Sequence, residues 1–205
     1  MAVKNYSTDN VYALILAGGV GSRFWPFSRE LEPKQFINII GNQSLLQNTI
    51  KRVQGLIKPE RIFIITNHIH LYELKNQIKQ FHIPEDNIIL EPEGKNTAPA
   101  IGVCARFIEQ KNPDAILVVL PSDHYIKEQD KFKACLTQAI ECAQNDVLVT
   151  IGIKPNKPAT GYGYIKASYK LEVVNYKCKA YKVARFLEKP SLDMARKYAA
   201  SKKYF

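Results

Sequence analysis

The chain has 205 residues, 46% of them hydrophobic and 23% charged, which is the balance of an ordinary globular protein and too apolar for a disordered one. Its formal charge of +10 sits entirely in residues 151–205, with 13 basic and 3 acidic side chains, whereas residues 1–150 hold 16 of each. That asymmetry excludes a uniformly basic surface that would coat nucleic acid, and no recognition helix or stacking motif accompanies it.

The opening MAVKNYSTDN is polar and lacks the apolar segment of a signal peptide. Val11–Leu16 (VYALIL) is a continuous apolar run, the pattern of a strand buried on both faces of a parallel sheet. The stretch Tyr12 to Ala17 is far too short to span a bilayer. A glycine-rich stretch follows. Leu46, Ile50, Val53 and Ile57 then recur at helical spacing, with Ser44 and Gln47 placed as a capping box. Arg61–Thr66 reads as a second strand, and Leu71, Leu74, Ile78 and Phe81 mark a second helix. Asn87–Glu91 is a third strand. Beyond Gly94, Thr97 is placed to cap a helix with Ile101, Cys104, Ala105 and Ile108 inward and Pro99 in its first turn.

Ala115–Leu120 is a fourth strand, Phe132, Leu136, Ile140 and Ala143 a fourth helix, and Val147–Ile153 a fifth strand. Alternating strands and helices predict an α/β fold, Rossmann-like, with a mostly parallel sheet between helix layers. After Pro155 the pattern changes to GYGYIKA, LEVVNY and KAYKVARFLEK with no helix between them, a small antiparallel add-on. Ser191 then caps a short helix over Leu192–Ala200. Cys104, Cys135, Cys142 and Cys178 form no C-x-x-C pair, and Cys135 and Cys142 fall one heptad apart on the fourth helix. They read as thiols, so the cytoplasm is the expected compartment, with no membrane and no nucleic acid as partner.

The first candidate for chemistry is the turn Ala17-Gly18-Gly19-Val20-Gly21-Ser22-Arg23, just past the first strand, where an open parallel sheet usually holds its ligand. Glycines bring consecutive backbone N–H groups close to an anion, although a plain tight turn would use them too. No G-K-[ST] follows, which excludes a Walker loop, and Phe24 stands where a dinucleotide fingerprint needs its third glycine. Arg23, Arg29 and Lys34 lie close together beyond it, a phosphate-binding set or a solvated basic loop. Glu91, Pro92, Gly94, Asn96 and Thr97 (within EPEGKNTAPA) follow the third strand, suited to a purine edge or to a capped helix start. Asp123, in Pro121-Ser122-Asp123-His124, stands after the fourth strand, where a carboxylate suits Mg²⁺ or simply closes a turn. Gly163 and the pair Glu188-Lys189 flank the add-on and read as a strand bulge and a strand exit, or as contacts to a phosphorylated sugar. His68, His70 and His82 read as ordinary loop or helix-end residues, and His124 as outer-sphere or packed.

The stretch LILAGGVGSRFWPFSRELEPKQF resembles the opening of the sugar-1-phosphate nucleotidyltransferases, in particular their mannose-1-phosphate guanylyltransferase branch. Ser28-Arg29 together with Pro33-Lys34-Gln35-Phe36 separates that branch from thymidylyl and uridylyl relatives. GNQSLLQNTIKRV, ILEPEGKNTAPAI, VLPSDHYI, TGYGYIKA and FLEKPS continue the similarity in family order. Departures are mild: Phe24 and Phe27 replace the usual leucines, and Lys95 stands where arginine is common.

The resemblance implies transfer of a guanylyl group from GTP to α-D-mannose 1-phosphate, with Mg²⁺ as cofactor. It assigns the nucleotide to Leu16, Ala17, Gly18, Gly19, Gly21, Ser22, Arg23, Lys34, Glu91, Pro92, Gly94, Asn96 and Thr97. It assigns catalysis to Arg23, Lys34 and Asp123, the metal to Asp123, and the sugar phosphate to Gly163, Glu188 and Lys189. It also implies one nucleotidyltransferase domain over residues 1–205, with a nucleotide-binding half (1–153) and the start of a sugar-phosphate half (154–205). Family members continue beyond this point, so an N-terminal fragment is expected, whose exposed apolar surface would favour association with a second copy. A non-catalytic nucleotide-binding remnant and an enzyme for another hexose 1-phosphate are the alternatives.

Overall fold

The structure is a computed structural model that describes residues 9–19, 33–39, 41–171 and 179–205. Gly21, Ser22, Arg23, Ser28, Arg29, Cys178 and nearly all of LEVVNY lie outside the described residues. The chain forms two compact units, Met1–Gln129 and Asp130–Phe205.

The first unit is built on four parallel strands: β1 (Val11–Leu16), β2 (Ile62–Asn67), β3 (Ile88–Glu91) and β4 (Ile116–Pro121), ordered β3-β2-β1-β4. Strand β1 is central. Its Leu16 registers with Ile65 on one side and Pro121 on the other. Apolar runs in β1 and β2 leave every residue buried or nearly so, because a strand between two others is covered on both faces. Leu14 of β1 and Phe63 and Ile65 of β2 pack with Ala100, Cys104 and Ile108 of α3 (Thr97–Lys111). The alternate residues Ala13, Ile15, Ile62 and Ile64 are buried on the opposite face. There α1 (Leu45–Gln54) lies against β1.

Helix α1 begins where the sequence predicts. The Gln47 amide donates to Ser44 Oγ at 3.1 Å, and the Ser44 amide donates to Gln47 Oε1 at 3.0 Å. Helix α2 (Leu71–Ile78) buries Leu74 and Ile78 and runs on into a short 3-10 turn that buries Phe81. Thr97 does not cap α3. Asn96 takes that position and Thr97 is the first helical residue, because the chain enters the helix through a positive φ at Asn96. Ala105, expected inward, is exposed.

In the second unit, α4 (Gln129–Ala143) buries Leu136 and Ile140 as its periodicity requires. Antiparallel β5 (Tyr164–Leu171) and β6 (Ala180–Leu187) form the add-on. Helix α5 (Leu192–Ala200) is capped by Ser191 and packs Ala195 and Tyr198 on Tyr164. Val147–Ile153 is not a strand. No other described segment pairs with it, and Leu148 and Ile153 are 103% and 75% exposed, so its apolar β-branched run has no ladder to join. Cys104 is a buried thiol, and Cys135 and Cys142 are half-buried thiols on α4. Among the described residues no helix is long and apolar enough to cross a membrane.

Replacing Ser44 with alanine removes the cap and also the hydroxyl bond to Gln77. It should cost about 1–2 kcal/mol of stability in urea unfolding. A change near zero would mean that packing alone fixes the start of α1.

Candidate functional site

The sheet order places a switch point between β1 and β4, because the chain moves one way through β1, β2 and β3 and then crosses to the other side of β1. Crevices at such points, beyond the carboxyl ends of the strands, are where open α/β sheets hold ligands. Leu16, Ala17, Gly18 and Gly19 leave β1 there, and Ser122 and Asp123 leave β4. The Ser122 amide donates to Leu16 O at 3.1 Å, and the Ala17 amide to Ile65 O at 2.8 Å, so the sheet ladder continues to the base of the glycine turn.

A neighbouring segment fixes the turn's backbone. Pro33 leads into a 3-10 turn over Lys34–Phe36 that buries Gln35 and Phe36. The Gln35 amide nitrogen donates to Ala17 O at 2.9 Å and to Gly19 O at 3.0 Å. Thr66 Oγ1 also donates to Ala17 O, at 3.0 Å. These bonds occupy carbonyls of the turn from within the protein. The sequence reading gave Gln35 and Thr66 no role. A polar residue at the inward end of apolar β2 was the available signal for Thr66, whereas Gln35 stood in the Pro33-Lys34-Gln35-Phe36 motif and only its burial and bonds show what it does.

The same 3-10 turn presents Lys34. Its Nζ lies 3.2 Å from Asp123 Oδ2, so the two expected catalytic residues of the described chain meet across the switch point. Their side chains are 29% and 41% exposed, and a pair that open to solvent contributes about 0–1 kcal/mol to folding. Its importance therefore lies in where it holds the two charges.

Glu91, at the end of β3, is the third participant. A Cβ on Gly18 would come within 2.6 Å of Glu91 Oε2, so the Glu91 carboxylate closes onto the turn where glycine leaves room. Burial raises the Glu91 carboxyl above its ordinary pKa of 4.5. Burial, with the Glu91 charge second, pushes the Cys104 thiol up to about 11, which leaves Cys104 a packing residue rather than a nucleophile. Pro92, Gly94, Asn96 and Thr97 follow on the exposed loop into α3. Asn96 has φ 67° and ψ −172°, a region favoured by glycine, and strained backbone of this kind concentrates at binding loops.

In the second unit, Gly163 and Glu188 repeat the device: a Cβ on Gly163 would meet Glu188 Oε2 at 2.8 Å. Lys189, at φ 42°, places its Nζ 3.2 Å from Glu188 Oε1. The three residues expected at the sugar phosphate are thus neighbours. His70, read from sequence as an ordinary loop or helix-end residue, is buried edge-on against Phe36. Among the described residues no three His, Cys, Asp or Glu side chains gather into a metal cluster.

A family model described as nucleotidyl transferase matches residues 12–205. The chain belongs to that family. The mannose-1-phosphate guanylyltransferase of Escherichia coli K12 is 41% identical over 199 residues, covering 96% of this chain and 41% of that protein. The xanthan biosynthesis protein XanB of Xanthomonas campestris pv. campestris strain B100 is 42% identical over 197 residues, with 96% and 40% covered. The chain therefore spans about two-fifths of the length of these relatives. Among solved structures, one described as a mannose-1-phosphate geranyltransferase from Thermus thermophilus superimposes with a TM-score of 0.80 at 31% identity, covering 95% of this chain and 54% of that one. A mannose-6-phosphate isomerase from Helicobacter pylori gives 0.75 at 30%, with 95% and 66% covered. These relatives agree with the nucleotidyltransferase fold read from the sequence.

The raised Glu91 pKa fixes a pH dependence. Below pH 4.5 the carboxyl is protonated in both the folded and unfolded chains. As pH rises, the unfolded chain loses its proton first, so the folded state loses stability until its own raised pKa is passed. Glu91→Gln should therefore unfold at higher urea than the parent at neutral pH, with the difference vanishing below pH 4.5. An equal difference at both pH values would contradict the burial effect.

Proposed function

We propose that the protein transfers a guanylyl group from GTP to α-D-mannose 1-phosphate, giving GDP-mannose and pyrophosphate. The observation that carries this reading is the Lys34–Asp123 pair beside a pinned glycine turn at the switch point. The names and identities of the relatives support the choice of guanylyl and mannose.

An oxygen of the sugar phosphate attacks the α-phosphorus of GTP in line. One phosphorus–oxygen bond forms, the bond to the β-phosphate breaks, and pyrophosphate leaves with the electron pair. No covalent enzyme intermediate is required, so the chain's work is positioning and charge neutralisation. The backbone of Gly18 and Gly19 receives phosphate oxygens, with Gly21, Ser22 and Arg23 added on the strength of the family resemblance. Lys34 steadies the transferring phosphate. Glu91, Pro92, Gly94, Asn96 and Thr97 take the nucleoside, and Gly163, Glu188 and Lys189 orient the acceptor.

Asp123 suits Mg²⁺: it is a hard-oxygen ligand, it is part-exposed, and Mg²⁺ is commonly held by only one or two carboxylates. Asp123 would hold the ion, whose charge offsets that of the phosphates. Thiols at Cys104, Cys135 and Cys142 fit the reducing cytoplasm. A supply of nucleotide sugar for polysaccharide synthesis is the corresponding role.

Pyrophosphate release should require GTP, mannose 1-phosphate and magnesium together. Asp123→Asn should lower the rate at least about 100-fold, while GTP affinity without metal changes little. Turnover by the variant equal to the parent at every magnesium concentration would remove Asp123 from the site. Nucleotide binding without any pyrophosphate release would mark the chain as a binding remnant.

A further inference from the structure

Asp123 stands in a segment held from beneath by α1. Thr49, fully buried, donates from Oγ1 to Ser122 O at 3.3 Å. Arg52, only 3% exposed, donates from Nη2 to His124 O at 2.9 Å. Its Nη1 reaches Thr49 Oγ1 at 3.5 Å, so the two side chains, three residues apart on one helix face, touch each other as well. The carbonyls on either side of Asp123 are therefore both held by one helix. From the sheet side, the Ser122 amide is bonded to Leu16 O.

We propose that Thr49 and Arg52 are positioning residues that fix the backbone of Asp123 opposite Lys34. The proposal rests on the reading of Asp123 as the magnesium-holding carboxylate, and it adds two residues that touch neither substrate nor metal. Three observations support it. An arginine buried under a sheet is costly to desolvate, and burial indeed lowers the Arg52 pKa. A leucine or methionine would fill such a position at lower cost. The planar fork of arginine gives what an apolar residue lacks, two donors aimed at different acceptors, here a loop carbonyl and a helix hydroxyl. Finally, Asp123 lies outside the strand ladder on a segment 41% exposed at its side chain, where a ligand needs its backbone held from outside.

The rest of the network follows the same plan. Gln35 holds the glycine turn, and Gln77 Nε2 donates to Phe36 O at 2.9 Å, fastening the segment that carries Lys34. Lys34 and Asp123 are thus each presented by a short segment whose carbonyls are occupied by side chains of the α1–α2 face. Outer partners of metal-holding carboxylates generally matter about 10–100-fold in metal affinity.

The test uses Thr49→Val, which keeps the shape and loses the hydroxyl, and Arg52→Lys, which keeps the charge and loses the fork. Thr49→Ser restores the donor. Two readouts are taken on the folded chain: Mn²⁺ affinity by electron paramagnetic resonance, and amide hydrogen exchange at Ser122 compared with the interior of β1. Both variants should bind Mn²⁺ about tenfold more weakly and exchange the Ser122 amide about tenfold faster, with β1 unchanged and Thr49→Ser close to the parent. Parent-like Mn²⁺ affinity together with parent-like exchange at Ser122 overturns the proposal. So does faster exchange spread evenly through α1 and β1, which would mark the bonds as general stability. If the parent itself binds no Mn²⁺, the metal reading of Asp123 fails, and the exchange comparison alone decides whether the clamp exists.

Discussion

Two opposite charges from distant parts of the chain meet at the carboxyl edge of a parallel sheet, Lys34 Nζ and Asp123 Oδ2 at 3.2 Å. Neither charge would stay there by itself. Lys34 rides on a 3-10 turn that is held by Gln35 reaching Ala17 O and Gly19 O and by Gln77 reaching Phe36 O. Asp123 rides on the exit of β4, held by Ser122 to Leu16 and by α1 beneath. The bonds of Gln35 to Ala17 and of Ser122 to Leu16 refer back to the end of β1, a strand covered on both faces. The ion pair adds little to folding, since exposed pairs rarely exceed about 1 kcal/mol. The fold supports the pair, and the pair defines the crevice.

Much of this was legible in the amino acids. Strand β1 has the predicted bounds because its apolar run follows a polar lead and ends at the turn that Ala17 and the glycines open. Helix α1 starts at its capping box and α5 at Ser191, since caps are local chemistry. The expectation failed where local pattern needed a distant partner. Val147–Ile153 has strand composition but no ladder among the described residues, and composition cannot supply one. Asn96 took the cap from Thr97 because a backbone turn, invisible in side-chain preference, sets the entry angle.

The site divides in the same way. Gly18 with Glu91, Lys34 with Asp123, and Gly163 with Glu188 are pairs whose members were each identifiable, and the fold brings each pair together. Gln35, Thr49 and Arg52 stand in the quoted motifs, but their roles were not readable, since they act through backbone carbonyls, which have no sequence signature. The charge asymmetry also has a place in the structure. The basic excess lies almost wholly in the second unit, where Lys154, Lys157, Lys202 and Lys203 are exposed and Lys189 stands beside Glu188. A field of that sign attracts anions, phosphorylated small molecules among them.

The central claim is that Lys34 and Asp123 act as one unit on the nucleotide. A double-mutant cycle with Lys34→Met and Asp123→Asn, read as GTP affinity at fixed magnesium, tests it most directly. A coupling of about 1 kcal/mol or more between the two substitutions is the expected result. Effects that simply add, within about 0.3–0.5 kcal/mol, would contradict it and leave the pair a surface contact.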